Sequence, residues 1–372
     1  MALDLQDIPL NAFTLYDYGW SDARHSDFTP YAQRGLIPGR IVIQQRGGYR
    51  LITEAGEIDA RASGGLMHTV QESERPSAGD WVALEARPGE TLALVQAVLP
   101  RATAFIRKAS GPRGGAQVVA ANVDAAFLVA SLNADLNARR MERYLAVTYE
   151  SGARPVIVLT KADLVDDLAA AAEEIEAIAF GAPMLCVSAR TGQGLDALAT
   201  HIAPGQTAVL LGSSGAGKST LLNALAGEDL MATGEIREDD ARGRHTTTHR
   251  ELVRLASGAL ILDTPGMREL GLWDAESGVS AAFDDVEALA ASCRFADCGH
   301  EREPGCAIQA ALTEGVLPPE RLRAWRKLQS ELAYEVRKED PRAAQENRKL
   351  WASRSKASRA WIKQKRGFPD DG

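Results

Sequence analysis

The segment GSSGAGKST, residues 212–220, constrains the fold of this chain more than any other stretch. It fits the pattern G-x-x-x-x-G-K-[ST] from Gly212 to Ser219, follows the apolar run TAVLLG and opens the helix-like run STLLNALAG. In such a unit the glycines let backbone N–H groups turn inward around phosphates, and Lys218 would reach the outer phosphates. The Ser219 hydroxyl would bind Mg²⁺, and the helix amino terminus favours negative charge. The segment therefore predicts a phosphate-binding site in an α/β domain.

Compact apolar runs surround this segment and alternate with helix-like stretches. Strands that alternate with helices predict a mainly parallel sheet covered on both faces. Ligands of such sheets bind at the carboxyl ends of the strands, which is where the chain places its polar motifs. The runs are VDAAFLVASL, RPVIVLT, APMLCVSA, TAVLLG, ELVRL and GALILDT.

Two of these motifs, TKAD at 160–163 and SAR at 188–190, predict recognition of guanine. The Asp163 carboxylate can accept hydrogen bonds from both N1–H and the exocyclic amine of guanine, a donor pair that adenine lacks. Lys161 would lie along the base, and the backbone of SAR would contact the guanine oxygen. DTPG at 263–266 adds Asp263, which would hold Mg²⁺ through water, and the Gly266 N–H, which would contact the terminal phosphate.

The order of these motifs is unusual, because the base-reading loops precede the phosphate loop. In the usual order the phosphate loop, the switch and DTPG come first and the base-reading loops follow. Moving that first block to the end reproduces the order seen here, so we predict a circular permutation. The segment GRHTTTH, 243–249, takes the switch position, where Thr247 would bind Mg²⁺ and the terminal phosphate. Met267 stands where many GTPases have a water-orienting glutamine. His245 is the candidate for that polar role, and a solvent-exposed histidine without a role is the alternative.

A Cys/His cluster follows DTPG, between two runs with helical spacing, SAAFDDVEALAASC and PPERLRAWRKLQSELAYEVRKED. Its spacing is C-x4-C-x-H-x5-C. Three thiolates and one imidazole occupy all four coordination positions of a tetrahedral zinc ion, so none is left open. We predict a structural zinc site; three unrelated thiols in a loop are the alternative. Cys186, in the apolar run MLCVSA, is expected in the core. The predicted zinc ligands are Cys293, Cys298, His300 and Cys306.

Residues 36–100 hold five short alternating runs separated by turn-rich breaks. Five short strands predict a small closed barrel, for which the oligonucleotide-binding (OB) type is a common choice and a barrel without ligand the alternative. The segment RKASGPRGGAQ, 107–117, is expected to be a basic linker. The five runs are GRIVIQ, YRLIT, IDARAS, DWVALE and LALVQAV.

Charge and composition bear on location and partners. The formal net charge is −8, yet nine basic residues face three acidic ones from Arg342 onward, so the first 341 residues carry −14. A basic tail on an acidic body is able to contact RNA, although most charged runs are only solvated. The amino terminus lacks the pattern of a signal peptide, and no apolar stretch reaches the length of a membrane span. We expect a cytoplasmic monomer that does not bind membranes.

The combined motifs resemble the circularly permuted, small-subunit-dependent GTPases called RsgA or YjeQ, over roughly residues 36–310. The resemblance implies a multidomain protein with an N-terminal OB-fold β-barrel, a central α/β circularly permuted P-loop GTPase domain and a C-terminal helical zinc-binding domain. It also implies that the small ribosomal subunit and its rRNA are the partners and that subunit binding stimulates GTP hydrolysis. Thr160 replaces the asparagine common in GTPases.

On this basis we divide the chain at residues 1–35 (extension), 36–106 (barrel), 107–272 (GTPase), 273–340 (zinc domain) and 341–372 (basic tail). The alternatives are a GTP-dependent RNA-binding switch with little turnover and a P-loop ATPase. His245 and Thr247 are the candidates for catalysis, with Ser219 and Thr247 as Mg²⁺ ligands. The predicted GTP-binding residues are Thr160, Lys161, Ala162, Asp163, Ser188, Ala189, Arg190, Gly212, Ser213, Ser214, Gly215, Ala216, Gly217, Lys218, Ser219, Thr220, Asp263 and Gly266.

Overall fold

The structure is a computed structural model. It describes residues 14–86, 92–108, 116–133, 136–179, 181–228, 250–263, 276–301 and 303–339. Within these residues the strands form one eleven-stranded sheet and one two-stranded hairpin.

The amino-terminal strands close into a barrel, as predicted. The first strand pairs with the second along one edge and with the fourth along the other, while the third and fifth run parallel. Alternation places Ile41, Leu51 and Val95 inside, where they are fully buried. This closed five-stranded arrangement agrees with the OB type. The elements are α1 Asp22–Ala32, β1 Ile37–Gln45, β2 Gly48–Thr53, β3 Gly56–Ala62, α2 Gly64–Thr69, β4 Trp81–Glu85 and β5 Leu92–Val98.

The described part of the predicted extension packs on the barrel. Trp20 lies edge-on to Trp81 of β4 with ring centroids 4.9 Å apart, and Phe28 of α1 also meets Trp20 edge-on, at 6.0 Å. All three rings are buried. Residues 14–35 are thus part of the fold of the barrel.

The predicted linker is wrong at both of its ends. A hairpin of β6 Ala104–Lys108 and β7 Ala116–Ala121 occupies them, and residues 109–115 lie outside the described chain. The hairpin is anchored by apolar side chains, since Phe105, Val118 and Val119 are all buried.

The central domain is a parallel sheet with the order β10-β9-β8-β11-β13, and the antiparallel β12 follows at its edge. All residues of β8 are buried, as expected of a strand covered on both faces. β12 also pairs with β1 of the barrel, so the two sheets are continuous. The elements are β8 Ala125–Ser131, α3 Ala138–Ser151, β9 Arg154–Thr160, α4 Leu168–Glu176, β10 Met184–Cys186, α5 Leu195–Ala199, β11 Thr207–Gly212, α6 Lys218–Ala226, β12 Arg250–Arg254 and β13 Leu260–Asp263.

The carboxy-terminal region is helical, with α7 Glu276–Ala282, α8 Asp284–Ala291, α9 Ala307–Thr313 and α10 Pro319–Glu339. The single helix expected over 280–293 is wrong, since the chain leaves helical geometry at Phe283. The Phe283 side chain is fully buried beneath the Arg321 guanidinium, 3.9 Å away, and Asp284 and Asp285 then begin α8. Acidic residues in a first turn favour a new helix there.

Candidate functional site

The phosphate loop connects β11 to α6 and is shaped by glycine. Gly217 lies at φ 92° directly before α6, a backbone conformation that side chains disfavour. A Cβ on Gly212 would lie 2.3 Å from the carbonyl oxygen of Val129 in β8, so the loop begins with no room for a side chain. The Lys218 Nζ donates to the carbonyl oxygens of Gly212, at 2.8 Å, and Ser213. The loop therefore curls around an ammonium group, as a site for phosphate requires.

Thr160 joins the base-reading loop to the phosphate loop. Its Oγ1 donates to the Ala216 carbonyl oxygen at 2.6 Å and lies 3.3 Å from the carbonyl oxygen of Ala130. The hydroxyl is buried at the end of β9. Thr160 thus fixes the spacing between the two loops, a role that the sequence did not reveal.

Asp163 is held as an ionised acceptor. The Ser188 hydroxyl donates to its Oδ1 at 2.6 Å, and an Arg190 nitrogen lies 3.3 Å from its Oδ2. The hydrogen bond from Ser188, then one from the backbone N–H of Asp163 itself and last the charge of Arg190, lower the pKa of Asp163 below its ordinary value. Because the Arg190 side chain is 78% exposed, its contribution is small. The structure thus brings TKAD and SAR together.

The backbone strengthens this arrangement, since the Ala162 N–H donates to the Val187 carbonyl oxygen at 3.1 Å. Lys161 lies in the left-handed region at φ 61°, and its Nζ is 3.5 Å from the Asn133 Oδ1. Asn133 is a site residue that our sequence analysis missed. Its position just after β8, at the carboxyl end of a parallel strand, was the available signal.

The remaining predicted residues divide between described and undescribed segments. β13 lies parallel to β11, so Asp263 at its end shares an edge with the phosphate loop and with Ser219 in the first turn of α6. Two hydroxyl or carboxylate oxygens at one edge suit Mg²⁺. Ser214 and Thr220 are exposed at this loop. Outside the described residues lie Gly266, His245, Thr247 and Met267.

The four predicted metal ligands meet in the loop between α8 and α9. Their ligand atoms all lie within 4.8 Å of one another. Cys293 Sγ is 3.9 Å from Cys306 Sγ, and the His300 Nδ1 is 3.5 Å and 3.7 Å from these two sulfurs. A tetrahedral zinc ion with ordinary bond lengths places such atoms about 3.6–3.8 Å apart. The cluster fits a metal ion of this kind, whereas Cys186 lies apart on β10.

Contacts around the cluster fix its shape. The Gln309 N–H lies 3.5 Å from Cys306 Sγ, and the Gln309 amide donates to the His300 carbonyl oxygen at 2.7 Å. The His300 ring meets Trp325 of α10 edge-on, with centroids 5.9 Å apart. Such surrounding contacts orient metal ligands.

Comparison with known proteins identifies the family. A family model described as RsgA GTPase matches residues 98–273. A protein of Opitutus terrae named small ribosomal subunit biogenesis GTPase RsgA is 47% identical over 357 residues, covering 93% of this chain and 97% of that protein. The chain belongs to the RsgA GTPase family. A protein of the same name from Streptomyces coelicolor is 47% identical over 360 residues, covering 96% of this chain and 97% of its own.

Two solved structures share the fold. YjeQ from Thermotoga maritima, at 24% identity, has a TM-score of 0.61 and covers 80% of this chain and 98% of its own. YloQ, described as a circularly permuted GTPase, has 25% identity, a TM-score of 0.57 and coverage of 80% and 95%. The permuted RsgA fold predicted from the motif order is therefore confirmed. Across the described residues, no helix is both long and apolar enough to span a membrane.

Proposed function

We propose that this chain binds GTP at the edge formed by β8, β9, β11 and β13, and hydrolyses it to GDP and phosphate on the small ribosomal subunit during late maturation. The observation that carries the proposal is the ionised Asp163, held by Ser188 next to a phosphate loop that Thr160 ties in place. Full-length similarity to RsgA proteins named as small-subunit biogenesis GTPases supports the partner.

Guanine is read by residues 160–163 and 188–190. The Asp163 carboxylate accepts from two base donors, and the lowered pKa keeps it ionised well below neutral pH. Residues 212–220 surround the phosphates, with Lys218 exchanging its loop carbonyls for phosphate oxygens. The same edge of the sheet therefore selects both ends of the nucleotide.

Mg²⁺ would be held by Ser219 and Thr247, and by Asp263 through water. The ion neutralises charge on the outer phosphates. The Gly266 N–H would face the terminal phosphate. Because Met267 lacks a polar group to orient water, the isolated protein is a slow GTPase, and His245 or an rRNA group supplies the missing contact on the subunit.

The Cys/His cluster holds one zinc ion through Cys293, Cys298, His300 and Cys306. Three thiolates and one imidazole leave no open position, so the metal is structural. Zinc in such sites contributes on the order of 10 kcal/mol to folding. Elemental analysis of the pure protein should give one zinc per chain, and Cys298→Ala should lose it while GTP binding survives.

The barrel and the basic tail attach the protein to rRNA, and the chain acts as a cytoplasmic monomer. Attachment through phosphate contacts is salt-dependent. The experiment for the whole proposal is GTP turnover with and without purified small subunits. Stimulation by several orders of magnitude is expected, as partner-supplied groups give in other GTPases. Binding without turnover would indicate an RNA-binding switch instead, and competition by ATP would indicate an ATPase.

A further inference from the structure

A cavity of about 230 Å³ lies between the barrel and the hairpin β6–β7. Its walls include Gln44 and Gln45 at the end of β1, Tyr49 in β2 and Gln117 in β7. None of these residues belongs to the nucleotide site or the metal cluster. Neither the nucleotide site nor the metal cluster therefore accounts for the cavity.

Two glutamine side chains in the wall accept hydrogen bonds through their amide oxygens, and these bonds fix the orientation of each amide. The Gln44 Oε1 accepts from Arg250 at 2.8 Å and from the Ser77 hydroxyl and the Ala78 N–H at 3.2 Å. The Gln117 Oε1 accepts from two nitrogens of Arg107, each at 3.2 Å. Their NH₂ groups have no hydrogen-bond partner among the residues that the structure describes. Two oriented donors thus line the cavity.

The other walls suit a flat, neutral group. Tyr49, Met67 and Pro76 contribute aromatic and apolar surface. Burial raises the pKa of Tyr49, so its hydroxyl stays protonated and adds a third donor or acceptor. The volume lies below the 300–1,000 Å³ typical of sites for drug-sized ligands, which favours one ring system over a whole nucleotide.

The two charged residues of the lining differ in exposure, since Glu72 is half-buried and Arg75 is exposed. Glu72 lies in the wall, and its carboxylate disfavours a free anion inside. The exposed Arg75 also lines the cavity, and its guanidinium can meet a phosphodiester outside. Amide donors with an aromatic ring inside and a cation at the rim are the chemistry that recognises an unstacked base with its backbone.

We propose that this cavity binds one base of single-stranded RNA, with the adjacent phosphate on Arg75. The inference builds on the proposed function, since it gives the rRNA contact of the barrel a defined site. Gln44 also contacts Arg250, the first residue of the strand that joins the barrel to the GTPase sheet. The Gln44 side chain would therefore contact both the bound base and that strand.

The test measures binding of a fluorescein-labelled single-stranded oligoribonucleotide of about ten nucleotides to the full chain by anisotropy. Tyr49→Ala should weaken binding roughly tenfold or more, the loss expected for one stacked base. Gln117→Glu keeps the oxygen that Arg107 contacts but removes the NH₂ donors, and it should weaken binding several-fold. Gln71→Glu, which makes the same charge change beside the cavity, is the control and should change binding less than twofold.

A second measurement needs no variant. Ultraviolet cross-linking of the parent to the same oligonucleotide, followed by mass spectrometry, should give an adduct on Tyr49. An oligonucleotide without bases should bind as weakly as Tyr49→Ala binds the intact one. Equal binding by parent and Gln117→Glu, or cross-links confined to other parts of the barrel, would overturn the proposal. Because these assays use neither GTP nor ribosomes, failure of subunit-stimulated turnover would overturn the proposed function separately.

Discussion

The GTPase domain meets the barrel through β12 and the zinc domain through α3, and each interface contains a buried arginine. The two arginines have different partners. Arg40 of the barrel donates to the carbonyl oxygens of Tyr18, Gly79 and Asn122, and to the hydroxyl of Thr207 at 2.8 Å. These acceptors are neutral, and three of them are backbone groups.

Arg321 of the zinc domain has charged partners. It lies 2.8 Å from Asp285 in α8 and 3.6 Å from Glu142 in α3, a helix of the GTPase domain. A second ion pair, Arg143 to Glu331 at 2.6 Å, links α3 to α10 near the surface. These ion pairs accompany close packing of α7 on α3, where a Cβ on Gly278 would lie 2.1 Å from the Ala146 carbonyl oxygen.

The two sets of partners differ in how they respond to salt and to charge. Hydrogen bonds to backbone carbonyls have no titrating partner, and β1 pairs with β12, so we expect the barrel and the GTPase domain to move together. Ion pairs weaken with salt, and those at the surface weaken most. Any rearrangement that follows nucleotide state is thus expected where the zinc domain meets α3.

The largest effect is expected from Arg321→Met. The change leaves the buried Glu142 carboxylate without its cation, and breaking a buried pair in this way costs about 3–5 kcal/mol. The free energy of unfolding, measured with urea, should fall by that amount. Adding Glu142→Met should restore a large part of it, because the unpaired charge is then removed. If Arg321→Met were as stable as the parent, Arg321 and Glu142 would not form a stabilising buried ion pair.

Arg40→Met should cost slightly less, roughly 2–4 kcal/mol, since it leaves several buried neutral acceptors unpaired. This loss should change less with salt than the loss at Arg321, because the four hydrogen-bond acceptors of the Arg40 guanidinium are neutral. Urea unfolding at low and high salt measures both quantities. Arg34→Met is the control, because Arg34 is an exposed residue of the segment that packs on the barrel. Its free energy of unfolding should stay within about 0.5 kcal/mol of that of the parent.

The smallest effect concerns Glu331→Gln. Its carboxylate is 33% exposed, so the pair with Arg143 should contribute below about 1 kcal/mol. A double-mutant cycle with Arg143→Gln should give a coupling energy that disappears at high salt. A coupling energy that persists at high salt would show that this pair, like the contacts of Arg40, is hardly screened by salt.

How far the sequence could predict these features depends on periodicity. The barrel strands and the parallel strands were predictable, because alternation or continuous apolar runs follow directly from burial on one or two faces. The break at Phe283 was not, since an apolar residue at that position fits one long helix equally well. The hairpin at 104–121 was obscured by the glycine-rich segment between its strands.

In the candidate site, too, some residues could be predicted from the sequence and others could not. Gly212, Lys218 and Asp163 were predictable because their chemistry needs those residue types at fixed spacing. The contact of Thr160 with Ala216 was not, because it joins loops that are distant in sequence. The burial of Arg40 was hidden for the same reason, since nothing in a sequence marks which arginines leave the surface.

Asp163 is expected to read guanine in a GTPase that the small ribosomal subunit stimulates. Xanthine carries a carbonyl oxygen where guanine carries its amine, so Asp163→Asn exchanges an acceptor for an amide that can donate to xanthine. Each lost bond from guanine is worth roughly 1.5–3 kcal/mol, so GTP affinity should fall by about two orders of magnitude or more.

The decisive measurement is single-turnover hydrolysis of GTP and of xanthosine triphosphate with saturating small subunits. The parent should hydrolyse GTP and the Asp163→Asn variant should hydrolyse xanthosine triphosphate, each with subunit stimulation. An Asp163→Asn variant that binds and hydrolyses GTP as the parent does would show that Asp163 does not read guanine.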